Sequence, residues 1–148
     1  MGQRAVVLDD AGHGLLGLLY AQQKLYDQAF AESERAIALD PNNAGIYAQR
    51  AEVLNVTGRP EEALRAAEYA MRLNPRGDGG EFITLASAYH LLGRCTEAIS
   101  TLKSFVVRNP NFLSAHAILS ASSLHQWAFQ QEEDDQTLAQ ALAAAQRV

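Results

Sequence analysis

The sequence is poor in cysteine, in positive charge and in long apolar runs, and each shortage argues against a class of protein. Cys95 is the single cysteine, so the chain cannot form an internal disulfide or a zinc site of cysteines alone, which favours a reducing compartment. The 12 Lys and Arg residues against 17 Asp and Glu give a net charge of −5, unlike a surface that neutralises nucleic-acid phosphates. The most apolar early stretch, residues 14–21, is far shorter than the roughly 18 residues of a membrane span. We therefore expect a cytoplasmic protein whose partners are neither nucleic acid nor membrane.

What the sequence does contain is a repeat. Hydrophobic residues make up 48% of the chain and charged residues 20%, which is the composition of a folded chain. Pro41, Pro75 and Pro110 each follow Asp or Asn after an apolar segment and lie 34 and 35 residues apart. The alanines upstream repeat with the same spacing: Ala29, Ala63 and Ala98. A shared period of about 34 residues predicts a stack of similar helix pairs.

In this register the sequence resembles the tetratricopeptide-repeat (TPR) family. The family's order of a bulky residue, a leucine and a small residue occurs in the first helix of each repeat: His13, Leu16 and Gly17; Tyr47, Arg50 and Ala51; Phe82, Leu85 and Ala86. Arg50 departs from this order, and Phe105 replaces a small residue of a second helix, from which we expect looser or shifted packing beneath the third repeat. The resemblance implies an all-α fold, a TPR-type right-handed superhelical solenoid of antiparallel helix pairs.

The repeat register divides the chain into five parts. Three are full repeats: residues 10–43, 44–77 and 79–112. Residues 113–148 are predicted to form a modified fourth hairpin, with a turn in the charged run at 130–135 and a C-terminal capping helix after it. Residues 1–9 are similar to the end of a second helix. Either the chain is a fragment of a longer protein, or this segment is a short helix that caps the first repeat.

The connections within the repeats follow the rules of helix ends. Gly58 and Gly93 predict a left-handed residue after the first helix of a pair, and Lys24 occupies the matching site of the first repeat. Asp27 and Thr96 are expected to cap the helices that follow.

No set of side chains in the sequence indicates catalysis. The histidines lie far apart: His13, His90, His116 and His125. We therefore expect no metal site, no cofactor and no enzyme activity. Cys95 is predicted to lie in the short turn after Gly93 and Arg94 and to be exposed, so a reactive thiol is the alternative from another functional class.

A stack of helix pairs presents a concave groove lined by the first helices, wide enough for a peptide or a helix. The TPR register places nine residues along this groove: Gln22, Gln49, Glu52, Asn55, Thr84, Ser87, His90, Ala121 and His125. TPR domains that hold the terminal carboxylate of chaperone tails use Lys, Arg and Asn. At the corresponding positions this chain has Gly14, Leu18, Gln49, Gly80 and Thr84. We expect that clamp to be absent and the groove to be polar and nearly uncharged.

A finer resemblance concerns the context of the repeats. Residues 13–17, 48–55, 58–63 and 70–75 are similar to TPR tracts that follow bacterial class III nucleotide cyclase domains and to those of some winged-helix regulators. This implies a non-catalytic protein–protein interaction module in a regulatory segment of a larger bacterial signalling protein. Two alternatives stay open, a free-standing scaffold or secretion-type chaperone and a redox sensor based on Cys95. Apolar helix faces at the N-terminal end of the stack also predict self-association.

Overall fold

The computed structural model describes residues 7–77 and 79–147, and these form helices and turns without a strand. In chain order the helices are α1 (Asp10–Gln22), α2 (Tyr26–Leu39), α3 (Ala44–Val56), α4 (Pro60–Leu73), α5 (Gly80–Leu91), α6 (Cys95–Arg108) and α7 (Leu113–Ala145). The predicted all-α fold is confirmed. None of these helices combines the length and apolar character that a bilayer crossing needs. Most of the predicted segment 1–9 lies outside the described residues, and residues 7–9 precede α1 without regular structure.

The helices form two layers. Each helix packs against the next one in the chain, and α1, α3, α5 and α7 also pack on one another in that order. By contrast, the backbones of α2, α4 and α6 do not approach one another closely within the described ranges. The predicted solenoid of helix pairs is therefore confirmed, with an inner layer of odd-numbered helices and an outer layer of even-numbered ones.

Small residues at the helix crossings let the backbones approach closely. Ala29, Ala51 and Ala63 are all 0% exposed. Gly17 packs so tightly on α2 that a Cβ added there would lie 3.1 Å from the carbonyl oxygen of Ala29. Larger residues fill the space between successive pairs, as Leu54 does in one cluster with Ala51 and Ala63. This packing fixes the spacing of the inner helices, which in turn shapes the surface they line.

The turn inside each pair is the one predicted. Lys24, Gly58 and Gly93 adopt left-handed conformations, with φ of 62°, 76° and 73°. The next amide donates to the carbonyl five residues earlier, as in the 2.8 Å bond from the Arg59 N–H to the Leu54 oxygen. This bond satisfies a carbonyl that the helix end leaves without a partner.

The predicted caps of the second helices are wrong. Asp27 and Thr96 lie inside α2 and α6, which begin after Leu25 and Arg94 without a side-chain cap. The reason is the tight turn within each pair. Leu25 and Arg94 each donate their N–H group to the end of the first helix and also occupy the N-cap position of the second. Asp27 and Thr96 lie two residues after the N-cap residues Leu25 and Arg94, which is too late in the chain for a cap.

Packing around Phe105 is tighter than expected. Phe105 is 2% exposed and stacks on Phe82 with ring centroids 5.1 Å apart, and it meets Phe112 edge-on at 5.2 Å. Gly79, with φ of 123°, gives the rings room, since a Cβ there would lie 2.9 Å from Phe112 and 3.2 Å from Phe105. The expectation of loose packing is therefore wrong, because an aromatic cluster fills the space that small residues leave in other repeats.

The fourth unit is a single helix and not a hairpin. Residues 113–145 form one continuous α7, so the turn predicted at 130–135 is wrong. This stretch contains no glycine and no proline, and its Glu and Gln residues are good helix formers. The acidic run therefore continues the helix. All side chains from Gln126 to Ala145 are exposed.

Candidate functional site

A groove of about 570 Å³ lies between α3 and α5, with Phe112 and Ser114 at the start of α7 completing its wall. We call it the α3/α5 groove. Its other lining residues come from the two inner helices: Gly45, Ala48, Gln49, Glu52, Asn55, Val56, Gly80, Glu81, Ile83, Thr84 and Ser87. The spacing of three and four residues within each helix keeps these side chains on one face.

Of the nine residues predicted to line the groove, the structure brings five together here: Gln49, Glu52, Asn55, Thr84 and Ser87. Gln22 is exposed at the end of α1, and Ala121 is exposed on α7. His90 and His125 lie against each other in a separate cluster, with ring centroids 5.8 Å apart.

Asn55 connects the two helices that form the groove. Its side-chain amide donates to the main-chain oxygen of Thr84 at 3.2 Å, and the Thr84 hydroxyl donates to the Gly80 oxygen at 3.0 Å. The Asn55 amide group is therefore held in one orientation. Its carbonyl oxygen is buried and has no hydrogen-bond partner among the described residues.

Two more residues of the groove lining carry a buried acceptor without a partner in the described ranges, and each of these acceptors faces a glycine outside the groove, Gly14 or Gly77. Gln49 packs directly on Gly14 of α1, where an added Cβ would overlap the Gln49 amide oxygen. That oxygen, Oε1, is buried without a hydrogen bond within the described chain. Glu81 is 2% exposed; its Oε1 accepts from the Asn74 side-chain amide at 3.3 Å, while its Oε2 has no partner in the described ranges. Sequence reasoning missed Glu81 because an acid in a first helical turn is ordinary.

The groove is more acidic than the sequence suggested. Its described lining includes the carboxylates of Glu52 and Glu81 and no Lys or Arg. Glu52 remains exposed at the edge of the groove, and partial desolvation by the neighbouring helices raises its pKa above the ordinary value, because it disfavours the ionised form. The site thus offers hydrogen-bond acceptors and negative charge, which suit a ligand rich in donors.

His13 and His116 lie apart from the other two histidines: His13 is half-buried at the bulky position of the first repeat, whereas His116 is exposed on α7. His13 contacts the buried carboxylate of Glu32 through its Nδ1, and Arg35 pairs with the same carboxylate. His116 contacts the Pro110 oxygen through its Nε2 at 2.8 Å. Neither lies in the α3/α5 groove.

The other two histidines lie beside the cysteine, which sequence reasoning did not anticipate. Cys95, at the start of α6, is 5% exposed and not exposed as expected. Its Sγ lies 3.4 Å from Nδ1 of His125. One coordinating atom each from His90, Cys95 and His125 lie within 4.8 Å of one another. The prediction that the histidines are too scattered to converge is therefore wrong, and the spacing of 35 residues between His90 and His125, about one repeat, was the available signal.

Comparison with known proteins identifies the repeats. Residues 12–43 and 33–65 each match a family model described as tetratricopeptide repeat. No curated protein matches the sequence. Among solved structures, the first TPR domain of human RPAP3 has a TM-score of 0.73 at 20% identity, covering 82% of this chain and 95% of that one.

Two further solved structures are similar. The second TPR domain of human RPAP3, in complex with an HSP70 peptide, has a TM-score of 0.63 at 23% identity and covers 77% of this chain and 98% of that one. The TPR domain of Arabidopsis OM64 has a TM-score of 0.66 at 20% identity, with coverage of 78% and 95%. At this level of identity the likeness concerns the fold.

Proposed function

Because this chain belongs to the tetratricopeptide-repeat family, we propose that it is a non-catalytic protein–protein interaction module that binds a polypeptide segment in the α3/α5 groove. One observation carries the proposal. The Asn55 side chain, held in the groove by its bond to the Thr84 oxygen, has a buried carbonyl oxygen without a partner in the described chain, and the described lining of the groove has two carboxylates and no Lys or Arg.

A buried acceptor without a hydrogen bond costs about 1–3 kcal/mol. A bound segment that donates a hydrogen bond to the Asn55 oxygen removes that cost there. Main-chain N–H groups of an extended peptide are such donors, and so are Lys and Arg side chains. The apolar wall beside the acceptors, including Ile83 and Phe112, provides contact area for the side chains of the segment.

The structural comparison supports a peptide ligand. The second TPR domain of human RPAP3 is bound to the HSP70 peptide SGPTIEEVD, which is acidic. The α3/α5 groove has acidic groups at Glu52 and Glu81 and no basic lining residue among those described. We therefore propose a neutral or basic segment as the partner, because an acidic one would be repelled.

The test uses an array of random ten-residue peptides probed with labelled chain. We expect the wild type to select peptides that carry Lys or Arg, and the double variant Gln49→Ala/Asn55→Ala to bind them at least tenfold more weakly. Gln22→Ala is the matched control, since it removes a polar inner-helix side chain outside the groove. Equal binding by the wild type and the double variant, or no selection at all, would overturn the proposal.

We further propose that the module serves as a regulatory segment of a larger bacterial signalling protein. The support is the sequence of residues 48–55, 58–63 and 70–75, similar to tracts beside nucleotide cyclase and winged-helix domains. Mass spectrometry of the native gene product tests it. A product much larger than 16.1 kDa that contains such a domain is expected, and a native product of 16.1 kDa would favour the free-standing scaffold or chaperone.

Self-association stays a prediction. Leu15 and Leu19 on α1 are 57% and 54% exposed, which gives the first inner helix an apolar outer face. Sedimentation velocity over a hundredfold concentration range measures it, and a constant monomer would contradict it.

A further inference from the structure

The cluster of His90, Cys95 and His125 has the donor set and the spacing of a metal site. The three side chains come from three elements, since His90 lies in the last turn of α5, Cys95 begins α6, and His125 lies in the middle of α7. One coordinating atom from each lies within 4.8 Å of the other two. From this convergence we propose that the chain binds one Zn²⁺ ion through these three side chains.

The distances fit tetrahedral zinc after a small closure. With Zn–S near 2.3 Å and Zn–N near 2.0–2.1 Å, ligand atoms in a tetrahedral site lie about 3.3–3.6 Å apart. The separation of 3.4 Å between Cys95 Sγ and His125 Nδ1 already has this value. The widest separation between two ligand atoms in the cluster is at most 4.8 Å and must decrease by about 1.5 Å to reach the tetrahedral range. Rotation of an imidazole ring provides this movement.

The surroundings hold the ligands in place. Ser122 is 0% exposed, and its hydroxyl lies 3.0 Å from Nδ1 of His90. Metal-binding histidines are usually oriented by such a hydrogen bond. On the other side, the Phe129 ring lies 4.7 Å from the His125 ring. The site is thus partly sheltered from water, which strengthens the attraction between a cation and a thiolate.

The cluster is open on one side. A cavity of about 350 Å³ begins at Cys95 and is lined further by Gly93, Thr96, Gln126, Phe129, Gln130 and Glu133. It provides an entry path and room for water as the fourth ligand. One thiolate and two imidazoles favour Zn²⁺ over Mg²⁺ or Ca²⁺, which prefer oxygen ligands.

Binding would join the third repeat to α7. The ligands belong to α5, α6 and α7, so one ion cross-links three consecutive helices. An ion that binds only the folded chain stabilises it by mass action. At a free concentration of a hundred times Kd we expect the melting temperature to rise by about 5–10 °C.

The experiment titrates the untagged, reduced, metal-free chain with Co²⁺ and then with Zn²⁺. We expect one Co²⁺ per chain, a thiolate-to-cobalt charge-transfer band, and displacement by Zn²⁺ in the same ratio. Cys95→Ser should abolish the band and weaken Zn²⁺ binding at least tenfold, and His125→Ala should weaken it similarly. His116→Ala is the matched control on α7, because His116 lies outside the cluster.

Circular dichroism of each metal-free variant checks that it is folded. Failure of the wild type to bind Zn²⁺ below 100 µM would overturn the proposal. So would binding that Cys95→Ser leaves unchanged, because the ion would then be held elsewhere.

Discussion

Replacing Phe105 by alanine tests whether an aromatic cluster holds the third repeat together. The side chain is 2% exposed, stacked on Phe82 and in edge contact with Phe112. A buried Phe→Ala substitution costs about 3–5 kcal/mol, because it removes apolar contacts and leaves a cavity. In a chain of this size each kcal/mol lowers the melting temperature by about 2–4 °C. Phe105→Ala should therefore melt about 6–20 °C below the wild type.

The substitution is informative because it restores the small residue that the repeat pattern has at this position. The repeat pattern alone predicts that Phe105→Ala leaves stability unchanged or raises it, whereas the structure predicts a large loss of stability. Urea denaturation followed by circular dichroism measures the free energy of unfolding. Val107→Ala is the control on the same helix, since Val107 is 78% exposed, and it should change the free energy by no more than about 0.5 kcal/mol. A Phe105→Ala variant within about 1 kcal/mol of the wild type would refute the reasoning.

Three further substitutions follow from the structure, each measured by the same urea denaturation. Lys24→Gly should stabilise the chain by up to about 1 kcal/mol, because φ is 62° at this position, and Gln23→Gly, at a φ of −83°, should bring no gain. Gly79→Ala should cost about 1–3 kcal/mol, since φ is 123° and an aromatic ring lies 2.9 Å from the added carbon; equal losses in Gly80→Ala, where the space is open, would contradict this. The raised pKa of Glu52 means that the folded state disfavours its ionised form. Ionisation of Glu52 therefore lowers the free energy of unfolding at a pH above its folded-state pKa. Protonation restores that free energy as the pH falls through the folded-state pKa. Glu52→Gln should therefore be no less stable than the wild type at pH 7, and its free energy of unfolding should rise less when the pH is lowered. A variant clearly less stable than the wild type at pH 7 would contradict the desolvation argument.

The helix pairs were predictable from sequence because their signals are local. A glycine after a helix and a proline after the next one act on their own backbone, so Gly58 and Pro75 marked the ends of α3 and α4 correctly. The long α7 was not predictable in this way. The acidic run at 130–135 differs in composition from the apolar helices before it, which suggested a turn. It contains neither glycine nor proline, however, so nothing in it ends a helix.

The sites depended on contacts between distant segments. Repeat register placed Gln49, Asn55 and Thr84 in one groove because these residues lie on adjacent inner helices. It did not reveal that Cys95 and His125 touch, because that contact joins the start of an outer helix to the middle of an inner one. The repeat period gives the position of a residue along its own helix. It does not say where a third helix, such as α7, contacts the pair formed by α5 and α6, because tertiary packing determines that contact.

The last part of α7 has a consequence for how the chain opens. Residues 134–145 are exposed throughout, so this segment, about 18 Å long, is held by its own backbone hydrogen bonds. Isolated helical turns exchange with coil in microseconds or less, whereas the turns of α7 around Ala115 and Ser122, which are both 0% exposed, open only with the surrounding repeat. Amide hydrogen exchange should therefore fall into two classes within a single helix. The boundary between them lies near Glu133, the last residue of α7 that faces the stack across the cavity beside Cys95.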